Sequence, residues 1–182
     1  HEEGVTGQMA HYLSESLQKN VHWEVLAKSG YTAQKVADLL TPELPDGEVD
    51  VVVLGLGGND TFRVNTPARW KKGLAQIVTD VRSKYGDVPV VIASLPPVGD
   101  FPAFTKLMQL ILGNLVRLHG RAAHEFASVS AGVYYKNRPI VFDEWVERAG
   151  GNVTADDFFS DGVHPSALTY SMWGRDIAEH IM

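Results

Sequence analysis

Asp161 and His164 stand three residues apart in Asp161-Gly162-Val163-His164-Pro165, a short polar turn ahead of a helical pattern. Such a turn sets a carboxylate beside an imidazole, orienting the ring and stabilising its protonated form. An imidazole held in this way serves as a general base near neutral pH. The same residues also make an ordinary Asp-Gly turn leading into a Pro-started helix, with an incidental exposed histidine. The other stretch with chemical reach is Gly57-Gly58-Asn59-Asp60, which ends the apolar, β-branched run from Val49. Its two glycines let the backbone turn sharply, so that Asn59 and Asp60 emerge at the end of a strand. In open α/β sheets that edge is where ligands bind. A Gly-rich turn with Asn and Asp as turn formers is the plainer alternative.

The spacing of the histidines does not suggest a metal. The seven histidines make no His-x-His pair and no helical His-x-x-x-His, and His119 and His124 fall on different helix faces. The absence of cysteine excludes disulfides, thiolate ligands and a cysteine nucleophile. It does not fix the compartment, since some exported proteins also lack cysteine. A net charge of −6 argues against a nucleic-acid footprint, and Lys71-Lys72 is the only adjacent basic pair. No run approaches the roughly 18 apolar residues of a membrane span. With 182 residues, 45% apolar and 21% charged, the chain fits one domain able to bury a sizeable core.

The elements that must position these residues follow from periodicity. Val5, Met9, Leu13 and Leu17 predict an amphipathic helix over residues 6–19, and residues 21–27 read as a short strand. Thr32 caps a helix carrying Val36, Leu39 and Leu40, which Pro42 and Pro45 end. The run over 49–55 has no alternation and suits a parallel strand buried on both faces. Thr66-Pro67 starts a helix whose buried stripe is Trp70, Leu74, Ile77, Val81 and Tyr85, with Gly86 as its stop. A second apolar strand covers 88–94. A long helix over about 104–127 carries Leu107, Leu110, Ile111, Leu115 and Leu118 on one side, with a bend or break marked by Gly113 and Gly120. Residues 133–136 and 140–142 compete as the last strand. The closing helix presents Tyr170, Trp173, Ile177 and Ile181. Strand–helix alternation predicts a three-layer α/β/α fold with a mostly parallel sheet. One feature breaks the pattern: the chain opens with a helix where doubly wound domains open with a strand.

Together the two stretches resemble the SGNH hydrolases, also called GDSL esterases and lipases. Gly57-Gly58-Asn59-Asp60 matches that family's Gly-x-Asn-Asp block, and Asp161-Gly162-Val163-His164-Pro165 matches its closing Asp-x-x-His block. Ser29-Gly30-Tyr31-Thr32 looks like the block that contributes a glycine, and the three occur in the family's order across essentially the whole chain. The resemblance implies a flavodoxin-like sheet and a serine-type carboxylic ester hydrolase working through an acyl-enzyme, without metal or cofactor. It implies that Asn59, by its side-chain amide, and Gly30, by its backbone N–H, donate in an oxyanion hole. His164 then carries the proton and Asp161 fixes its tautomer. The implied substrate is a small acyl ester, a lysophospholipid or an acetylated sugar. Pro96, Pro97, Phe101, Pro102 and Phe104 form either an apolar wall for the acyl chain or a stiff surface loop.

The departure from the family is its first block. No Gly-Asp-Ser occurs in the sequence, and no nucleophile is assigned to Ser14, Ser16, Ser83, Ser128 or Ser130, which lie in or beside predicted helices. Ser29 and Ser94 lie nearer the predicted rim but lack the family's flanking pattern. The expectation is one domain over residues 1–182, incomplete at its N-terminus, with the first strand and the nucleophilic serine upstream of His1. That strand belongs between 21–27 and 49–55. Two rival readings stand beside the esterase: a non-catalytic binding module on the same fold, and a metal-dependent phosphoesterase, which the histidine spacing disfavours.

Overall fold

The computed structural model describes residues 3–136, 140–150 and 152–182; the start at His1 and Glu2 lies outside the described residues. The chain forms two compact units. One, Leu26–Asp100 with Lys106–Ile140, holds the sheet. Its strands β1 (Val52–Leu54), β2 (Val90–Ile92) and β3 (Val133–Tyr135) pair in the order β1-β2-β3. Both pairs are parallel, with Val52 beside Val90 and Val90 beside Val133. Parallel neighbours need long crossovers, and helices supply them: α3 (Gly58–Phe62) and α4 (Pro67–Tyr85), then α5 (Lys106–Val129). Because α4 packs on α5, the two crossovers share one face of the sheet, as two connections of the same hand moving in the same direction must. Helix α2 (Ala33–Leu39) packs on α4 in turn.

Two predicted caps form. The Thr32 side chain accepts from the Lys35 N–H, and Thr66 accepts from the Arg69 N–H. The stripe predicted for α4 is the core: Trp70, Leu74, Ile77 and Val81 are buried against Val90, Ile92 and Ala123. The parallel α/β class is as the alternation of the sequence predicts.

Several expectations need correction. Residues 21–27 form no strand, and Trp23, Val25 and Leu26 are exposed. A strand is held by its neighbours, and β1 pairs with β2 alone, so among the described residues its other edge carries none. Residues 58–60 are not a simple turn but the first turn of α3, with Gly57 ahead of it at φ 111°. Helix α5 runs unbroken through Gly113 and Gly120. Gly113 is a contact point instead: a Cβ there would stand 3.1 Å from Gly99 Cα. That approach turns the Gly113 side inward with Leu112, His119 and Ala123. The predicted stripe therefore turns outward, with Leu107, Leu110, Ile111 and Leu118 exposed and Leu115 half-buried. Residues 140–142 are not the last strand, because Phe142 opens a helix that the sequence reading missed.

The other unit, residues up to Val25 with Phe101–Thr105 and Val141–Met182, is helical. It contains α1 (Val5–Leu17), α6 (Phe142–Ala149) and α7 (Ala167–Ile181). Met9 and Leu13 bury against α7, whose buried face is Met172, Ile177 and Ala178. Of the predicted α7 stripe only Ile177 is fully buried; Tyr170, Trp173 and Ile181 are half-buried. The inward face is set by Gly174, where a Cβ would stand 2.7 Å from Met9 N and 2.9 Å from Val5 O. No described helix is long and apolar enough to cross a membrane.

Candidate active site

The Asp161–His164 turn is built from its backbone outward. Phe159 and Pro165 form an antiparallel bridge, Ser160 N–H donates to His164 O at 2.9 Å, and Ser166 N–H donates to Phe158 O at 3.0 Å. Ser166 also caps α7 by accepting from the Thr169 N–H. Below the turn, the Phe159 ring lies 5.0 Å from Phe101 and 5.2 Å from Phe142, anchoring it to an aromatic cluster. Phe101 is buried there, so its ring packs the unit rather than standing open as a wall for an acyl chain.

On this frame Asp161 Oδ1 accepts from the backbone N–H groups of His164, at 2.8 Å, and Val163, at 3.1 Å. Its other oxygen, Oδ2, accepts from His164 Nδ1 at 2.7 Å. The His164 N–H, the imidazole and the Val163 N–H, in that order, hold the Asp161 carboxyl down at about 2. It is therefore ionised throughout the neutral range. Since a carboxylate only accepts, the proton of His164 sits on Nδ1 and leaves Nε2 as the acceptor. The His164 side chain is 75% exposed. The turn itself thus fixes the tautomer of His164.

The second predicted group is in the sheet-bearing unit. Gly30 has φ +77°, the left-handed conformation that glycine tolerates without strain, in a turn closed by Tyr31 N–H to Lys28 O at 3.2 Å. Asn59, at the carboxyl end of β1, donates from Nδ2 to Tyr31 O at 3.0 Å. The two predicted oxyanion donors are thus brought to one corner of this unit.

What joins them is a buried network the sequence reading did not find. Asp60 is fully buried; its Oδ2 accepts from Ala33 N–H and its Oδ1 from Asn65 Nδ2, both at 2.9 Å. One carboxylate thereby ties the start of α2, just past Gly30, to α3 and the loop after it. Beside it, His119 on α5 donates from Nε2 to Asn65 O at 2.8 Å, and its Nδ1 lies 3.2 Å from Thr61 Oγ1. Burial pushes the His119 pKa down, against the opposing pull of Asn65 O and Asp60. The signal for Asp60 was present in Asn-Asp after a Gly-Gly turn; nothing local marked His119.

Serines near His164 have other partners. Ser160 Oγ donates to His164 O at 3.2 Å and Ser166 Oγ to Asp157 O at 2.7 Å, so neither hydroxyl points to the imidazole. Among the described residues no three or more His, Asp or Glu side chains gather as a metal site would need.

Three comparisons bear on this arrangement. The model of the GDSL-like lipase/acylhydrolase family matches residues 1–172. Among curated proteins, none matches closely enough to count as a relative. Solved structures share the fold. A candidate platelet activating factor from Streptococcus pneumonia is 21% identical, with a TM-score of 0.70 over 96% of this chain and 80% of its own. Est24, a carbohydrate acetylesterase from Sinorhizobium meliloti, is 22% identical, with a TM-score of 0.60 over 99% and 85%. Axe2, an acetylxylan esterase from Geobacillus stearothermophilus, is 14% identical, with a TM-score of 0.63 over 96% and 78%. With a family match spanning all but its last ten residues and this parallel α/β fold, the chain belongs to the GDSL-like lipase/acylhydrolase family of ester-cleaving hydrolases.

Proposed function

We propose that the protein is a serine-type carboxylic ester hydrolase in which His164, oriented by Asp161, is the general base and acid. The observation that carries this reading is the 2.7 Å bond from His164 Nδ1 to an ionised Asp161, which leaves Nε2 to take a hydroxyl proton. Asn59 Nδ2 and the Gly30 N–H, gathered at one corner by the Asn59–Tyr31 bond, are the donors to the tetrahedral oxyanion. Asn59 spends one amide proton on Tyr31 O and keeps the other for substrate. The nucleophile is a serine upstream of His1, because Gly-Asp-Ser does not occur in the sequence and Ser160 and Ser166 bond backbone carbonyls. The substrate class is a small acyl ester. Acetylated sugars lead it, on the strength of the two acetylesterases of like fold.

The test is active-site labelling of the protein carrying its upstream segment. A fluorophosphonate should modify one serine, found upstream of His1 by peptide mass spectrometry, and His164→Ala should abolish both labelling and p-nitrophenyl acetate turnover. A label on Ser29 or Ser94 would relocate the nucleophile. The second reading, a non-catalytic binding module, is favoured by the absent Gly-Asp-Ser alone. It requires no label, no turnover and retained affinity for an acetylated sugar.

A further inference from the structure

The outward side of α5 carries Leu107, Leu110, Ile111 and Leu118, which are 66%, 62%, 50% and 45% exposed. Their spacing places them on one helical stripe. Single exposed leucines are ordinary, whereas a stripe of four is a surface with a use. Three cations, Lys106, Arg117 and Arg121, are exposed along the edge of the stripe. No acidic residue occurs from Lys106 to His124, in a chain whose net charge is −6. An apolar stripe bordered by cations is the pattern of a helix that lies in a lipid interface.

We propose that this face of α5 docks on an anionic lipid surface, with Leu107, Leu110, Ile111 and Leu118 at the acyl boundary and the three cations against lipid phosphates. Charge selects this occupant. A second copy paired about a two-fold axis would bring the same cations of both copies around one apolar patch, and like charges there oppose pairing. An uncharged apolar partner would leave the cations unanswered.

The position of the stripe gives docking a consequence. The loop leaving β2 sets Gly99 against Gly113, and a Cβ on Gly58 would stand 3.6 Å from Pro96 Cγ. The first turns of α5 therefore lie beside the corner that holds Asn59, and lipid docking brings that corner close to the interface. The inference stands apart from the esterase reading, because binding is measured without turnover.

The test is co-sedimentation of the protein with phosphatidylcholine vesicles, with and without about 30% phosphatidylserine. Binding to the anionic vesicles should exceed binding to the neutral ones by about tenfold or more, and should fall as salt is raised from about 0.05 to about 0.5 M. Leu110→Glu with Ile111→Glu should lose binding by about tenfold while the thermal melting temperature stays unchanged. Arg117→Gln with Arg121→Gln should keep the fold and lose the preference for anionic lipid, and this pair decides alone if the apolar variant does not fold. No binding to either vesicle, or equal binding insensitive to salt, overturns the proposal. So does concentration-dependent dimerisation abolished by Leu110→Glu, which would make a second copy the occupant.

Discussion

Asn59 and Asp60 are adjacent, yet they are asked to do opposite things. Asn59 donates to Tyr31 O and is only partly buried, while Asp60 is withdrawn from water and accepts with both oxygens from Ala33 and Asn65. Replacing Asn59 by Ala in the complete enzyme should lower kcat by about 10²–10³ with little change in KM, because one oxyanion donor acts only once the carbonyl turns tetrahedral. Steady-state kinetics on p-nitrophenyl acetate check this, and near-normal kcat would remove Asn59 from the mechanism. Asp60→Asn keeps the shape but sets an N–H donor against another donor. It should destabilise the fold by about 1–3 kcal/mol in a urea melt, as an unmatched buried group does. Asp161 has its own pH signature. Its folded-state value of about 2 lies below the ordinary 3.8, so its contribution is present above 3.8 and lost as pH falls through 2. Acid inactivation at milder pH must therefore have another source, and an Asp161→Asn variant should leave the stability profile above pH 4 flat relative to the parent.

At the scale of elements, contacts between helices decide more than propensity does. Helix α7 meets α1 at Gly174, where backbone of the partner helix occupies the space a Cβ would take. Gly174→Ala should therefore cost about 1–3 kcal/mol as the helices separate, although alanine favours an isolated helix. A variant that melts at or above the parent temperature would show that the crossing is loose. Helix α5 is tied to α3 and the loop beyond it through His119, Thr61 and Asn65. The pKa of His119 is lowered from 6.5 by burial, so the unfolded chain binds the proton more readily. By linkage the contribution is complete above 6.5 and lost as pH falls toward the lowered folded value. Thermal melts should show stability dropping on acidification through this window. His119→Gln, which can still donate to Asn65 O, should flatten that drop while lowering stability at neutral pH.

At the scale of the whole molecule the deciding feature is the edge of β1 away from β2, which pairs with no strand among the described residues. Val52 N–H bonds Pro89 O and Leu54 O accepts from Ala93 N–H, so both face β2, and by strand alternation the groups of Val53 face the other side. A strand placed there would satisfy the Val53 N–H and C=O. Unpaired buried backbone groups cost about 1–3 kcal/mol each, against a domain stability of about 5–15 kcal/mol. Extending the protein with the Gly-Asp-Ser segment proposed upstream of His1 should raise the melting temperature and slow amide exchange at Val53. Hydrogen exchange with mass spectrometry checks this. Unchanged exchange at Val53 would mean that the strand belongs elsewhere.

Local chemistry was legible in the sequence. The Thr32 and Thr66 caps, the α4 stripe, the apolar runs that become β1 and β2 and the Asp161–His164 pair all depend on residues close in the chain, whose spacing alone places them together. The α5 stripe, the burial of Phe101 and the Asp60–Asn65–His119 network were not legible. Which face of α5 turns inward is fixed by Gly113 meeting Gly99, a contact between a helix and a loop ahead of it. The strand expected at 21–27 failed for a related reason: its residues have the propensity, but a strand exists only where another offers it an edge. Sequence determined what each element can be, and tertiary structure decided which side of it faces the core, because burial is a property of neighbours.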